Sequence, residues 1–465
     1  LVFFLLMEKK KAFSLLEDLE EQLPTSMYWW CRYDSQTELD DEDKYFSNIN
    51  VMDWLSHHLV VQGGELTSWP KVLAGDDGVL HWMQETARLR KRIEGHLPGA
   101  SERTLTQMAL LGVTCDHEAL TGKDALLRID LGYMASLRYS SIRPDLPNII
   151  EQLLELGVNH FDHFLLTTDG STPGFYLKNG LNKAIKIAID KGVPEIDAYA
   201  MASYNVARYY SLDYVLGAIA PGRIAHLNIL PAKEEPTPIS VLAKGKWVLR
   251  DKKRQPFPEF DFGKYGMKPL TIDWNITKDD LYYSVPVGLE MVNEVIVKPY
   301  QITSEDNFDH LPSDHDESYF VMLDKHGKWR MNTLIKGFAD KVSGFASTFS
   351  MTGDIVLIGK NKNDMIQAFN VIKEMGGGIA LVENGELLAA MPLKHFGIFS
   401  DKSFEETAKE EEKISRLLKE RGYPYKDPFY SLLFFSATHL PYIRVTEQGI
   451  YDVFKKTILF PSIMR

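Results

Sequence analysis

Val113-Thr114-Cys115-Asp116-His117-Glu118 is the stretch on which the reading of the fold turns. Residues suited to a pleated, extended chain run directly into three ionisable ones. The segment follows Thr104–Leu111, where apolar residues recur at helical spacing up to Gly112. The same grammar recurs on both sides. Upstream, Leu59-Val60-Val61 reads as a strand that runs out at Gly63-Gly64-Glu65, and a helix over Glu85–Ile93 leads to Gly95-His96. Downstream, a helix over Leu146–Leu156 precedes a strand over Phe164–Thr168 that ends at Asp169-Gly170. Strands alternating with helices predict parallel βα units. A polar cluster where each strand runs out is the arrangement of a (β/α) barrel, whose chemistry sits on the loops at the carboxy ends of its strands. The chain before Gly217 has room for about six such units, fewer than the eight of a full barrel.

Farther along, Asp197 begins a helix with Ala198, Met201, Ala202 and Tyr209 on one side, and Gly217, Pro221 and Gly222 mark a turn. Ile224–Leu230 and Val241–Leu249 then alternate about Gly245 like a small β-sheet. A proline- and charge-rich connector over 250–270 marks a boundary. Beyond it, Asp354–Ile358 reads as a strand and Asp364–Met375 as a helix with Met365, Ile366, Phe369 and Ile372 inward. Gly376–Gly378 stop that helix, and Ile379–Val382 and Leu387–Ala390 form a hairpin across Asn384-Gly385. Ser403 and Glu406 have capping-box spacing for a charged helix to about Gly422, whose acidic run Glu405–Glu412 reads as a solvated face. The expected division is a barrel over 1–215, a β-sandwich segment over 216–265 and a C-terminal α+β domain over 266–465.

A chain of 465 residues has room for about two to four domains. Hydrophobic residues at 45% and charged residues at 25% describe an ordinary soluble globular protein. A net charge of -12 supplies no basic footprint for a phosphate backbone, which excludes nucleic acid as a partner. Cys31 and Cys115 are too few for a disulfide framework or a structural zinc site, so a reducing, cytoplasmic setting is expected. The apolar start, Leu1–Met7, gives way to Glu8 and Lys9–Lys11; it is too short to span a membrane and lacks the pattern of a signal peptide. Because the chain opens inside an apolar run, it reads as a fragment lacking its first strands.

Glu65, His96, His117 and Asp169 are each expected at the end of a different strand of one barrel-like segment, a placement that would make them converge. Imidazole nitrogen and carboxylate oxygen suit Zn²⁺, Fe²⁺ or Mn²⁺, and such an ion makes bound water acidic enough to serve hydrolysis near neutral pH. Taken singly, none is specific; their shared position is the signal. His57-His58 and His160-Phe161-Asp162-His163 lack that placement and read as solvated loop or helix-end residues.

The words around these residues resemble the adenine deaminase family of the amidohydrolase superfamily. Ile93-Glu94-Gly95-His96-Leu97-Pro98-Gly99 is similar to its Gly-His-Ala-Pro-Gly motif, and Cys115-Asp116-His117-Glu118 to its Ser-Asp-His-Glu motif. Gly64-Glu65 resembles the Gly-Glu that supplies a metal-bridging carboxylate, and Thr167-Thr168-Asp169 the Thr-Asp of the last barrel strand. Ala218-Ile219-Ala220-Pro221-Gly222-Arg223 resembles the phrase with which amidohydrolases leave the barrel, and Gly376–Gly378, Pro392-Leu393 and Ser400-Asp401 resemble the family's C-terminal domain. The match runs over about 60–460 and points to the YerA-like adenine deaminases of bacilli. It implies a metal-dependent hydrolase, an incomplete TIM-like barrel with a β-sandwich segment and a C-terminal α+β domain, acting on adenine in purine salvage or adenine catabolism.

By that resemblance Glu65, His96, His117 and Asp169 hold metal, Mn²⁺ or Fe²⁺ before Zn²⁺, and Asp169 is also the catalytic carboxylate. Asp116 and Glu118 orient ligands or are surface acids at a helix start, and Arg138 lies near the substrate or in a structural ion pair. The partner is a small molecule, with no membrane and with a homo-oligomer compatible. The sequence departs from the family in three places. None of its 13 histidines has another two residues away, so the His-x-His of the first metal is missing. Phe349-Ser350-Met351-Thr352-Gly353-Asp354 stands where the family has Ala-His-Asp-Ser-His-Asn, and Gly170 follows Asp169 where a second aspartate is common. The alternatives to adenine deamination are a cyclic amidase of the same superfamily and an inactive, truncated homologue, and a weakly active chain is expected without its first strands.

Overall fold

The computed structural model describes residues 2–37, 39, 41–256, 258–283, 285–303, 308–312 and 314–465; Leu1 of the apolar start and residue 257 of the connector lie outside them. Strands β1 (Trp29–Cys31), β2 (Val60–Leu66), β3 (Arg92–Gly95), β4 (Cys115–Asp116), β5 (Met134–Arg138) and β6 (Phe164–Thr167) lie side by side in chain order, each neighbouring pair parallel. Helices Asp77–Arg88, Glu102–Leu110, Gly122–Asp130 and Leu146–Glu155 connect them. Each of the first three starts on a side chain that takes up a free amide: Asp76 accepts from Val79, Ser101 from Thr104, and Thr121 forms a reciprocal capping box with Asp124. Their apolar faces bury Trp82, Met83, Leu105, Met108, Ile149 and Leu153 against the sheet. This is the α/β barrel architecture in an arc of six strands, with β1 and β6 at its edges.

Two local expectations need correction. The helix expected over Glu85–Ile93 stops at Arg88, because the chain turns through Arg90 at φ 57° and re-enters the sheet as β3. The helical spacing runs on through that turn, so the pattern hid the strand. Likewise His57 is not solvated: its side chain is 6% exposed, with its ring against those of Phe13 and His58. His163 and Asp162 do face solvent.

After the barrel arc, β7 (Leu227–Ile229), β8 (Ser240–Ala243), β9 (Lys246–Arg250) and β10 (Lys253–Arg254) form an antiparallel sheet in the order β10-β9-β8-β7. A larger sheet follows, built from β11 (Val287–Met291), β12 (Val297–Gln301), β13 (Glu317–Leu323), β14 (Trp329–Lys336), β15 (Gly344–Ser347), β16 (Ile355–Gly359), β17 (Gly378–Glu383) and β18 (Glu386–Pro392). Its order is β12-β11-β14-β13-β16-β15-β17-β18. The helix Lys362–Met375 covers one face through Met365, Phe369 and Ile372, and the helix Phe404–Glu420 meets the other through Ile414 and Leu418. The β17–β18 hairpin turns at Asn384 and Gly385, both at positive φ as a tight two-residue turn requires. Ser403 and Glu406 make the expected capping box, but the acidic run is not wholly a solvated face, because Glu411 turns inward and is buried against Thr172 and Gly174. Strands β19 (Ile443–Thr446), β20 (Gly449–Asp452) and β21 (Thr457–Pro461) form a small antiparallel sheet, and β22 (Ile463–Met464) returns to pair with β14. Among the described residues no helix is long and apolar enough to cross a membrane.

Candidate metal centre

Because the six strands are parallel and in register order, their carboxy ends share one rim, and three side chains from three strands meet there. Glu65 lies near the end of β2, while His96 and His117 immediately follow β3 and β4. His96 Nδ1 is 2.8 Å from Glu65 Oε1, His117 Nε2 is 3.3 Å from the same oxygen, and the two ring nitrogens are 3.3 Å apart. Ligand atoms about 2.0–2.2 Å from one tetrahedral ion stand roughly 3.3–3.6 Å from each other. Two of the three separations match that spacing, the third is a closer, hydrogen-bonded contact between His96 and Glu65, and the donor set suits a divalent cation.

Its electrostatics agree with that fit. Burial by itself would raise the Glu65 carboxyl, but His96, His117 and Arg32 together hold it well below the usual carboxylate range. Burial opposes charge on both imidazoles, yet Glu65 and Glu118 raise His96, and Glu65 and Glu94 raise His117 well above its ordinary value. The shared carboxylate and its acidic neighbours thus favour positive charge at this point of the rim, which is the environment a divalent cation needs.

The surrounding residues fix this geometry. Arg32, just beyond β1, places Nη1 3.2 Å from Glu65 Oε2 and donates from Nη2 to Thr67. Glu94 Oε1 is 3.2 Å from His117 Nδ1, the ring nitrogen turned away from the cluster, a pairing that orients a ligating histidine. Glu118 is buried, and its Oε1 faces His96 at 3.4 Å and His117 at 3.5 Å. Burial would raise its carboxyl, but His96, Arg138, His117 and Arg143 hold it down to about 2. Asp116 is wholly buried; it accepts from Leu97 N at 2.8 Å and Glu118 N at 3.0 Å and pairs with Arg128. Thus Asp116 and Glu118 are not surface acids: one ties together the loops that carry His96 and His117, and the other lines the cluster.

Asp169, expected to converge with the other three, lies beside them, near enough for its charge to help raise His117. The ligand atoms of Glu65, His96 and His117 all lie within 4.8 Å of one another, and Asp169 stands outside that set. At the end of β6 the chain turns through Asp169 at φ 52°, and its Oδ2 meets Arg138 Nη1 at 2.8 Å. The same nitrogen is 2.9 Å from Glu118 Oε1, so Arg138 joins Asp169 to the cluster's edge.

Sequence reasoning missed Arg32, Glu94, Arg143 and His439. Glu94 had a readable signal, since it precedes His96 by two positions and an extended chain puts such residues on one face. His439 had none. It comes from the C-terminal part of the chain and stands edge to face with His96, ring centroids 5.8 Å apart at 82°. Burial first, and then His96, push its pKa down to about 3.

The chain is similar to known proteins along most of its length. Residues 7–248 match the model of the amidohydrolase family, and residues 294–457 match the adenine deaminase C-terminal domain. A Halalkalibacterium halodurans protein provisionally named adenine deaminase is 62% identical over 100% of this chain and 80% of its own length. Adenine deaminase YerA of Bacillus subtilis, also provisionally named, is 52% identical over 99% of this chain and 80% of its own. A Picrophilus torridus protein of the same provisional name is 35% identical over 94% and 73%. With both family models matched in order, and with relatives this similar across nearly the whole length, the chain belongs to the adenine deaminase family of amidohydrolases.

Proposed function

We propose that this protein catalyses the metal-dependent hydrolysis of adenine to hypoxanthine and ammonia. The observation that carries the reading is the meeting of Glu65, His96 and His117 on the rim formed by the carboxy ends of parallel strands. These three residues would hold a divalent cation; their donor set suits Zn²⁺, Fe²⁺ or Mn²⁺ alike, and the resemblance to the adenine deaminase family favours Mn²⁺ or Fe²⁺. When bound, the cation supplies hydroxide at neutral pH for addition at C6 of the base. Asp169 takes the proton from the attacking water and passes it to the exocyclic nitrogen, which leaves as ammonia when the C6–N6 bond breaks. Arg138 holds that carboxylate toward the cluster, and Glu118 and Asp116 set the ligand-bearing loops. The product keeps the water's oxygen at C6.

The division that supports this activity is a barrel unit over 1–215, a β-sandwich segment over 216–265 and a C-terminal domain over 266–465. Its setting is the cytoplasm, in purine salvage or adenine catabolism. Loading the protein with Mn²⁺ or Fe²⁺ and following hypoxanthine tests the reading. His96→Ala is expected to lower formation by more than about 100-fold and to lower bound metal with it. Wild-type rates in His96→Ala, or metal bound equally by both proteins, would reject the assignment.

A further inference from the structure

The cluster faces the C-terminal part of the molecule. One segment there, Tyr430–Leu440, crosses from the Asp169 side to the His96 side. At one end a Cβ built on Gly170, the neighbour of Asp169, would lie 3.7 Å from the Tyr430 hydroxyl. At the other end the His439 ring meets the His96 ring. Phe434 lies between, 5.5 Å from the Tyr430 ring and 6.5 Å from that of His439. A base whose C6 is served both by the cluster and by Asp169 would lie next to this aromatic segment.

The segment is held from below and behind. Thr37 Oγ1 donates to Ser436 O at 2.6 Å, and Val445 N donates to Phe435 O at 2.8 Å. Arg444, only 1% exposed, donates to the carbonyls of Ala437, Ile443 and Val295 at 3.1, 3.1 and 2.8 Å. Three carbonyl partners around a buried guanidinium fix backbone position. His439 is thus pre-placed rather than free to swing. Its Nδ1 lies 3.4 Å from Gln36 O. A carbonyl only accepts, so Nδ1 carries the hydrogen and Nε2 keeps its lone pair.

We propose that His439 is a substrate-recognition residue contributed by the C-terminal domain, its Nε2 accepting a hydrogen bond from an N–H of the purine while Phe434 and Tyr430 cover the ring. This rests on the reading of the cluster as a purine-hydrolysing centre. A flat heteroaromatic with N–H groups on its edge fits an aromatic wall bearing one acceptor. The site then needs both parts of the chain, one to hold the metal and one to hold the base.

The test is isothermal titration of the Mn²⁺-loaded full chain with adenine and with hypoxanthine, for wild type, His439→Ala and His439→Gln, with metal content and thermal midpoint measured on each. His439→Ala is expected to bind purine roughly tenfold more weakly, the cost of one buried hydrogen bond, with metal content at the wild-type level. His439→Gln, whose amide oxygen can stand near the place of Nε2, is expected to recover part of the affinity. Equal purine affinity in wild type and His439→Ala overturns the proposal. So does a loss of affinity that follows loss of metal in both variants, since that assigns His439 only to the support of His96. If the wild type forms no hypoxanthine yet binds purine, and His439→Ala weakens that binding, the deamination reading fails while the recognition role stands. If the wild type binds no purine, both fail.

Discussion

The rim of the parallel sheet and the interior of the large C-terminal sheet are built from opposite materials. In the rim, Arg32, Asp116, His117, Glu118, Arg128 and Arg138 are all buried, and each lies against a charge of opposite sign. In the C-terminal sheet, every residue of β13 and β16 is buried, and the core there is Phe320, Val321, Met322, Val356, Leu357 and Ile358. Desolvating charge costs several kcal/mol per ion even after pairing, so a fold concentrates it only where chemistry needs it. Apolar burial stabilises without direction. The first region is therefore fragile and specific, and the second robust and tolerant.

That contrast is broken most directly by removing one group from each region. Asp116→Ala leaves Arg128 buried without its carboxylate and two amides without an acceptor. It is expected to destabilise by about 3–5 kcal/mol. Ile358→Val removes one methylene from a fully buried position and is expected to cost about 0.5–1.5 kcal/mol. Urea unfolding of the two variants gives the comparison. If Asp116→Ala costs no more than Ile358→Val, the buried charges are ordinary packing and the distinction between the regions is empty.

The comparison sharpens when stability is separated from metal binding. Arg32 does not belong to the ligand set, but it fixes Glu65 by its contact with Oε2. Arg32→Met keeps the length of the stem and removes the guanidinium. Metal affinity is expected to fall about 10–100-fold, as it does when a group that orients a ligand is lost. Competition with a chelator measures it. Unchanged affinity would mean that Glu65 is positioned by its strand alone.

The two regions were also unequally legible in the sequence. The rim could be read because an ionisable residue stands where each of these strands runs out, beside glycine for Glu65 and His96 and within an ionisable run for His117. Asp169 follows the same rule, but that it meets the cluster's edge through Arg138 rather than within the ligand set leaves no trace in the spacing. β13 escaped notice because a strand buried on both faces has no alternation to show. β1 is three residues long, too short for any periodicity, whereas the still shorter β4 was read from the ionisable run that follows it. His439 reaches the rim only through tertiary packing.

The smallest effect lies where the two regions touch. The helix Phe404–Glu420 presents Glu411, which accepts from Thr172 Oγ1 at 2.5 Å and Gly174 N at 2.8 Å and so grips the loop that begins at Asp169. Burial is the main reason that its carboxyl is raised to about 7, with Thr172 and Gly174 opposing it. The folded state thus binds a proton more tightly than the unfolded chain, and stability must fall as pH rises from about 4.5 through 7. Glutamine does not titrate; its amide oxygen accepts from Gly174 N, and its NH2 donates to the Thr172 hydroxyl, which turns to accept. Glu411→Gln is therefore expected to match the wild type at pH 4.5 and to exceed it by about 1 kcal/mol at pH 8, read by chemical denaturation at both values. A variant less stable than wild type at pH 8 would show that the loop is held by the carboxylate's charge, and the contact between the regions would then belong with the rim rather than with the apolar sheet.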